Sequence, residues 1–97
     1  MVQTLRSYQI LAGKKKIIIE KPNSSNRIFF SVRVIAGEAS WYDVKMSFDD
    51  PLFLYYYILN GPSKYFEAEG KDIFQGNVWI FNNTDTDLFV TTTEILS

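Results

Sequence analysis

Hydrophobic and polar residues alternate with a period of two along much of the chain. Ile28, Phe30, Val32 and Val34 alternate with the residues between them, and residues 42–48 repeat the pattern. This period places apolar side chains on one face of a β-strand. No stretch of twelve residues follows the 3.6-residue period of an amphipathic helix. The pattern therefore predicts an all-β protein.

Turn-forming residues divide the chain into short segments. Clusters of Pro, Gly, Asn, Asp and Ser occur at residues 22–26, 49–51, 60–63 and 82–87, and these residue types favour tight turns. Between the turns there is room for about eight short strands, which predicts a single antiparallel β-sandwich or jelly-roll-like domain.

One domain accounts for the whole chain. Its 97 residues are close to the roughly 100–150 residues of a common single domain. We assign residues 13–97 to the β-sandwich domain. Two placements are open for residues 1–12, which form either a first strand or an N-terminal arm that reaches onto a neighbouring subunit.

Residues 52–59 lack the polar face that the other predicted strands have. Such a strand is either central and covered on both sides, or it gives one face to a partner. The sixteen Phe, Tyr and Trp residues favour a partner, because a core this small cannot hide them all. The residues predicted for this interface are Leu52, Leu54, Tyr55, Tyr56 and Tyr57, with Trp41 as a neighbour.

The composition argues against catalysis. The chain has no His and no Cys, the residue types most used for proton transfer, nucleophilic attack and soft-metal ligation. We therefore expect no enzyme, no cofactor and no metal.

Two pairs of carboxylates could in form serve as the acid pair of a glycosidase, namely Asp43 with Asp49 and Glu67 with Glu69. Turn chemistry and a solvated strand face explain these pairs better. Residues 82–87 offer oxygen ligands of the kind that calcium prefers, but a solvated hairpin tip is the better explanation.

Nothing in the sequence predicts a membrane segment or an export signal. There is no run of about 18 or more apolar residues, and residues 1–6 lack a basic head followed by an apolar stretch. The absence of Cys fits assembly in a reducing cytoplasm.

The formal charge is divided unevenly along the chain. Residues 1–33 carry seven Lys and Arg against one Glu, a net charge of +6, whereas residues 34–97 carry three Lys against ten acids, a net charge of −7. Either folding mixes the two halves over one surface, or opposite patches dock against neighbouring copies. The only basic cluster is Lys14, Lys15 and Lys16, so a nucleic-acid partner is not expected.

Aromatic rings also suit carbohydrate binding, because their faces can stack on sugar rings. A position in the core or in a subunit interface explains any one of them better, and Trp79 is predicted to be interior because its neighbours at residues 78–81 are apolar. The rings that could serve a sugar are Trp41, Tyr42, Tyr55, Tyr56, Tyr57, Tyr65 and Trp79.

Several motifs resemble those of small β-sandwich virion proteins of tailed bacteriophages. FQGNVWIFNNT at residues 74–84, followed by LFVTTTEIL at residues 88–96, is similar to their closing hairpin. KPNSSNRIFF at residues 21–30 is similar to their Pro-Asn-x-x-x-Arg turn and second strand, and Asp50-Pro51 with residues 57–62 fits a middle hairpin. Together these matches cover roughly half of the chain.

The resemblance implies a non-enzymatic structural protein of a phage virion, in its most concrete form a capsid decoration or stabilisation subunit. Such proteins usually form trimers or other closed rings, so the expected partners are further copies of this chain and virion proteins such as the major capsid protein. The expected location is the virion, assembled in the host cytoplasm, with no membrane partner. Arg6, Tyr8, Lys14, Lys15 and Lys16 are expected to contact the shell. The alternative function is a carbohydrate- or receptor-binding β-sandwich module, with a glycan as partner.

Overall fold

The computed structural model of the protein describes residues 1–35, 44–50, 53–58 and 63–97, with the backbone alone at residues 49, 50, 53–58, 63 and 64. Within these ranges no helix is long and apolar enough to cross a membrane. The eight strands are β1 (Val2–Ile10), β2 (Lys15–Ile19), β3 (Arg27–Ile35), β4 (Val44–Asp50), β5 (Phe53–Ile58), β6 (Ser63–Glu69), β7 (Asn77–Asn82) and β8 (Leu88–Leu96).

The strands form two four-stranded antiparallel sheets. Sheet A has the order β1-β8-β3-β6, and sheet B has the order β2-β7-β4-β5. The first strand pairs with the last, the second with the seventh, the third with the sixth and the fourth with the fifth. This is the connectivity of a jelly roll, in which one long hairpin is folded over on itself. The predicted antiparallel β-sandwich is confirmed.

The N-terminal residues form an edge strand of sheet A. β1 pairs with β8 along its full length, from Val2 opposite Leu96 to Ile10 opposite Leu88. Ile10 is buried in the core, and Tyr8 packs against the same core from a half-buried position. Residues 2–10 are therefore part of the sandwich.

The apolar segment predicted as a strand at residues 52–59 corresponds to β5. Among the described strands β5 is the last of sheet B, and its backbone pairs with β4 from Ile58 opposite Lys45 to Phe53 opposite Asp50. Within the described part of sheet B this segment therefore lies at the edge.

The polar turn at residues 83–87 joins strands of different sheets. β7 pairs with β2 and β4 in sheet B, whereas β8 pairs with β1 and β3 in sheet A. The prediction that this segment forms a closing hairpin is therefore wrong. Alternation along each strand looks the same for a hairpin and for a turn between sheets, so the pattern could not separate the two.

The core lies between the two sheets and is made of the alternating residues that the sequence indicates. Phe30, Val32 and Val34 of β3 face the core, and so do Val44, Met46 and Phe48 of β4. The rings of Phe30, Phe48, Phe66 and Phe74 form a chain of contacts with centroid distances of 5.2–6.0 Å. Burial of such side chains stabilises the fold by about 1.5–3 kcal/mol each.

A buried cation closes one end of the sandwich. Arg27, at the start of β3, is only 1% exposed, and its Nε donates to Oε2 of Glu94 in β8 at 2.8 Å. The other guanidinium nitrogens donate to the carbonyls of Phe74 at 2.7 Å, Gly76 at 3.0 Å and Glu20 at 3.0 Å. Arg27 therefore ties the β2–β3 and β6–β7 connections to β8.

Replacement of Arg27 is expected to destabilise the fold severely. Arg27→Met removes the cation and leaves three carbonyls and Glu94 without their donor, so we expect the free energy of unfolding to fall by about 3–5 kcal/mol. Urea unfolding followed by tryptophan fluorescence measures this change. The matched control is Arg6→Met, because Arg6 is exposed, and its effect is expected to stay within about 0.5 kcal/mol. Equal effects of the two substitutions would contradict the assigned role of Arg27.

Candidate functional site

The predicted aromatic interface lies only partly within the described residues. Leu52 and Trp41 are outside them. The backbone of β5 places Leu54 opposite Asp49, Tyr55 opposite Phe48, Tyr56 opposite Ser47 and Tyr57 opposite Met46 in β4.

The basic cluster is spread over different surfaces. Lys14 lies in the β1–β2 turn, and Lys15 and Lys16 begin β2. The Lys15 Nζ lies 5.8 Å from the ring centroid of Trp79, whereas the Lys16 Nζ lies 5.3 Å from that of Tyr8. β2 and β5 are at opposite ends of sheet B, so the basic cluster and the predicted aromatic strand are not adjacent.

Trp79 lies on the outer face of sheet B, so its predicted interior position is wrong. Val78 and Ile80 of β7 are fully buried, and the period of two turns Trp79 away from the core. Its half-buried ring stacks on Phe81 with a centroid distance of 6.2 Å and an interplanar angle of 30°. The prediction relied on the apolar neighbours at residues 78–81. It failed because apolar residues occupy both faces of this strand, so an apolar neighbour does not indicate a buried position.

The oxygen-rich turn at residues 82–87 uses its side chains to hold the backbone. The buried Asn82 donates to the carbonyls of Ile10 and Thr86 and accepts from the Thr84 amide. Asp87 accepts from the Ala12 amide and the Gln9 side chain. In the part of the chain that the structure describes, no three acidic side chains are grouped so as to hold a metal ion.

A polar cleft separates the two sheets beside β1, and we call it the β1–β8 cleft. Its volume is about 410 Å³. The cleft lies between β1 and β8 on one side and the end of β2 with the residues that follow it on the other. Its polar wall consists of Thr4, Arg6, Tyr8, Glu20, Lys21, Asn23, Thr92 and Glu94, and its apolar wall of Ile18, Ile19, Pro22 and Leu96.

Charged groups of both signs meet in the β1–β8 cleft. Glu94 is held there by Arg27, whereas the side chains of Arg6 and Glu20 make no ion pair with a described residue. Burial raises the pKa of Tyr8 above its ordinary value, and the positive Arg6 opposes this shift while Glu20 and Glu94 add to it. The Tyr8 phenol therefore stays protonated at neutral pH and can donate a hydrogen bond.

The outer face of sheet A carries an apolar patch, which we call the outer patch and define as Arg33, Ile35, Tyr65 and Phe89. Phe89 is 55% exposed and Ile35 is 45% exposed, and the two are direct cross-strand partners. Arg33 lies opposite Tyr65 on the same face, and the Tyr65 hydroxyl donates to Glu67. A depression of about 430 Å³ lies beside Arg33, Ile35 and Phe89 and extends toward Ser7 and Gln9 of β1.

The sequence contained a signal for the outer patch that the predictions missed. Leu88 and Val90 are apolar positions of one face of β8, so Phe89 between them must point to the opposite face. Thr91 and Thr93 are the next residues on that opposite face. A large ring beside two outward-facing Thr residues indicates a contact surface.

The comparisons with known proteins support the fold alone. No protein-family model and no curated protein matches the chain. Among solved structures, the chain is similar to a protein of Bacillus endospore appendages, which are described as a novel family of disulfide-linked pili. The TM-score is 0.59 and the sequence identity is 18%, and the match covers 98% of this chain and 87% of the other.

The electrostatics of the β1–β8 cleft can be measured through Tyr8. Because Arg6 lowers the pKa of Tyr8, Arg6→Ala is expected to raise that pKa further. The pH dependence of phenolate absorbance, compared with and without Tyr8→Phe, isolates this group. Arg33→Ala is the matched control and is expected to leave the pKa of Tyr8 unchanged, because Arg33 lies on the other face of sheet A. An unchanged pKa in both variants would contradict the described geometry.

The raised pKa of Tyr8 also has a consequence for stability. The folded state keeps the phenolic proton to a higher pH than the unfolded state, whose value is about 10. The corresponding stability is fully present below pH 10 and declines as the pH rises through the folded-state pKa. Urea unfolding across this range is expected to show a smaller loss of stability for Tyr8→Phe than for the wild type.

Proposed function

We propose that this protein is a non-enzymatic structural subunit that associates with other copies of itself through the outer patch. The observation that supports the proposal is the contiguous pair Phe89 and Ile35, both about half exposed on the outer face of sheet A. Because each side chain is already about half buried, covering the rest of it against another molecule contributes roughly 0.8–1.5 kcal/mol each.

Charges on the same face favour a second copy as the occupant. Arg33 is exposed and makes no ion pair with a described residue. Glu67 and Glu69 of the neighbouring strand β6 are exposed on the same face of sheet A. In a two-fold contact each Arg33 can therefore approach an acidic residue of the other copy, since an isologous interface uses the same patch twice.

Three of the described carboxylates have structural partners, which argues against a catalytic role for them. Glu94 binds Arg27, Asp87 binds Gln9 and the Ala12 amide, and Glu67 accepts from Tyr65. A chain without His and Cys then has little with which to build an acid–base site. These observations support a role that depends on contact.

Two settings suit such a subunit. The motif resemblance supports a phage virion, in which the protein decorates or stabilises the capsid and contacts the major capsid protein. The similar structure belongs to a pilus-forming appendage, which favours a filament as the second setting. Because this chain has no Cys, a filament built from it would lack disulfide links between its subunits. We propose the virion as the first setting to test.

Electron microscopy separates the two settings. Purified protein incubated with undecorated phage capsids is expected to add density at regular positions on the shell. Filaments formed by the protein alone would support the pilus-like setting and contradict the virion proposal. The appearance of neither product at micromolar concentration would contradict a structural subunit in both settings.

The outer patch is tested by a charge substitution with a matched control. Phe89→Glu is expected to convert an oligomer into a monomer, because it places a charge in the apolar contact. Leu11→Glu is the control, since Leu11 in the β1–β2 turn is 54% exposed and lies outside the patch. Sedimentation velocity at micromolar concentration measures the change. A wild-type monomer, or loss of assembly in both variants, would contradict the proposed interface.

A further inference from the structure

We infer that the β1–β8 cleft is a binding site for a neutral saccharide. Its volume of about 410 Å³ lies within the range of roughly 300–1,000 Å³ that is common for small-molecule sites. The inference concerns the inner face of sheet A and does not depend on self-association through the outer patch.

Several polar groups in the cleft are left without protein partners. The side chains of Thr4, Arg6 and Glu20 form no hydrogen bond with any described residue, and neither does the Tyr8 hydroxyl. Every buried side-chain nitrogen or oxygen among the described residues does have a partner. The Tyr8 hydroxyl is therefore open to the cleft. A ligand that offers both donors and acceptors can satisfy these groups together.

The charges in the cleft select a neutral ligand. Arg6 and Lys21 attract an anion but Glu20 and Glu94 repel it, and the same four groups act in the opposite sense on a cation. The hydroxyl groups of a saccharide can accept from the Arg6 guanidinium and donate to the two carboxylates without carrying a charge themselves.

The apolar wall suits the carbon face of a sugar ring. Pro22 and Leu96 offer the more accessible apolar surface, because they are half-buried whereas Ile18 and Ile19 are buried. A saccharide presents C–H groups on its ring faces and hydroxyls at its edges. It can therefore contact this wall while its hydroxyls reach the polar side of the cleft.

Part of the polar side of the cleft is held in place before any ligand arrives. Glu94 is fixed by its 2.8 Å bond to the buried Arg27. Thr4 and Arg6 lie on a strand that pairs continuously with β8. A site positioned on paired strands loses little conformational entropy on binding, which favours affinity for a weakly interacting ligand.

Nuclear magnetic resonance titration of the full chain tests the site. The probes are four neutral disaccharides (maltose, cellobiose, lactose and N,N′-diacetylchitobiose), with glucuronate as the anionic control and tetraglycine as the peptide control. At least one disaccharide is expected to shift the amide signals of Thr4, Arg6, Tyr8 and Glu94 at millimolar concentration. We expect Arg6→Ala to weaken this binding by about tenfold or more, since it removes a charge-assisted hydrogen bond.

The controls make each outcome decisive. Arg33→Ala, the same substitution on the outer face, is expected to bind the disaccharide as the wild type does. Tyr8→Phe keeps the ring and is expected to weaken binding by the loss of one hydroxyl. The inference is overturned if no disaccharide shifts these signals, if the shifts map to Trp79 and Phe81, or if glucuronate or tetraglycine binds more tightly. Phe89→Glu is expected to abolish self-association and to retain saccharide binding, so the two proposals can fail separately.

Discussion

The sandwich depends on the neutralisation of one buried cation. An unpaired guanidinium inside a protein is strongly unfavourable, but Arg27 has a carboxylate and three backbone carbonyls within hydrogen-bond distance. The backbone of Arg27 is held as well, because its amide donates to Gln75 and its carbonyl accepts from the same side chain. The end of the molecule where β3 begins is therefore fixed by polar contacts that have one arrangement only.

A second buried polar residue, Asn82, holds the connections at the other end of the sandwich. Asn82 is fully buried at the end of β7, and its amide group bonds to the carbonyls of Ile10 and Thr86. The backbone amide of Asn82 donates to the carbonyl of Lys14. Hydrophobic burial supplies the stabilising free energy between the sheets, but these two residues determine which connections meet at each end. A core made of apolar residues alone would be less specific in this respect.

The sequence was sufficient to predict the class of fold. In β3 and β4 the apolar residues of the period-two pattern are buried in the structure, as expected. The sequence was not sufficient to assign strands to sheets, as the turn between β7 and β8 demonstrates. The structural role of Arg27 could not be predicted from the sequence for a related reason. Its partners Glu20, Phe74, Gly76 and Glu94 are up to 67 positions away in the chain, and only the jelly-roll connectivity brings them together. The β1–β8 cleft was missed because its walls come from β1, β8 and the end of β2.

Sheet A has two faces with different chemistry, and both are built from the same strands. In β8, Phe89 points outward to the outer patch, whereas Thr92 and Glu94 point inward to the β1–β8 cleft. Association through the outer face therefore leaves the cleft open. A repeating assembly would present many such clefts at once, and several weak saccharide contacts made together give an avidity far above that of one site. A structural subunit with a low-affinity cleft could in this way attach an entire particle or filament to a glycan-bearing surface.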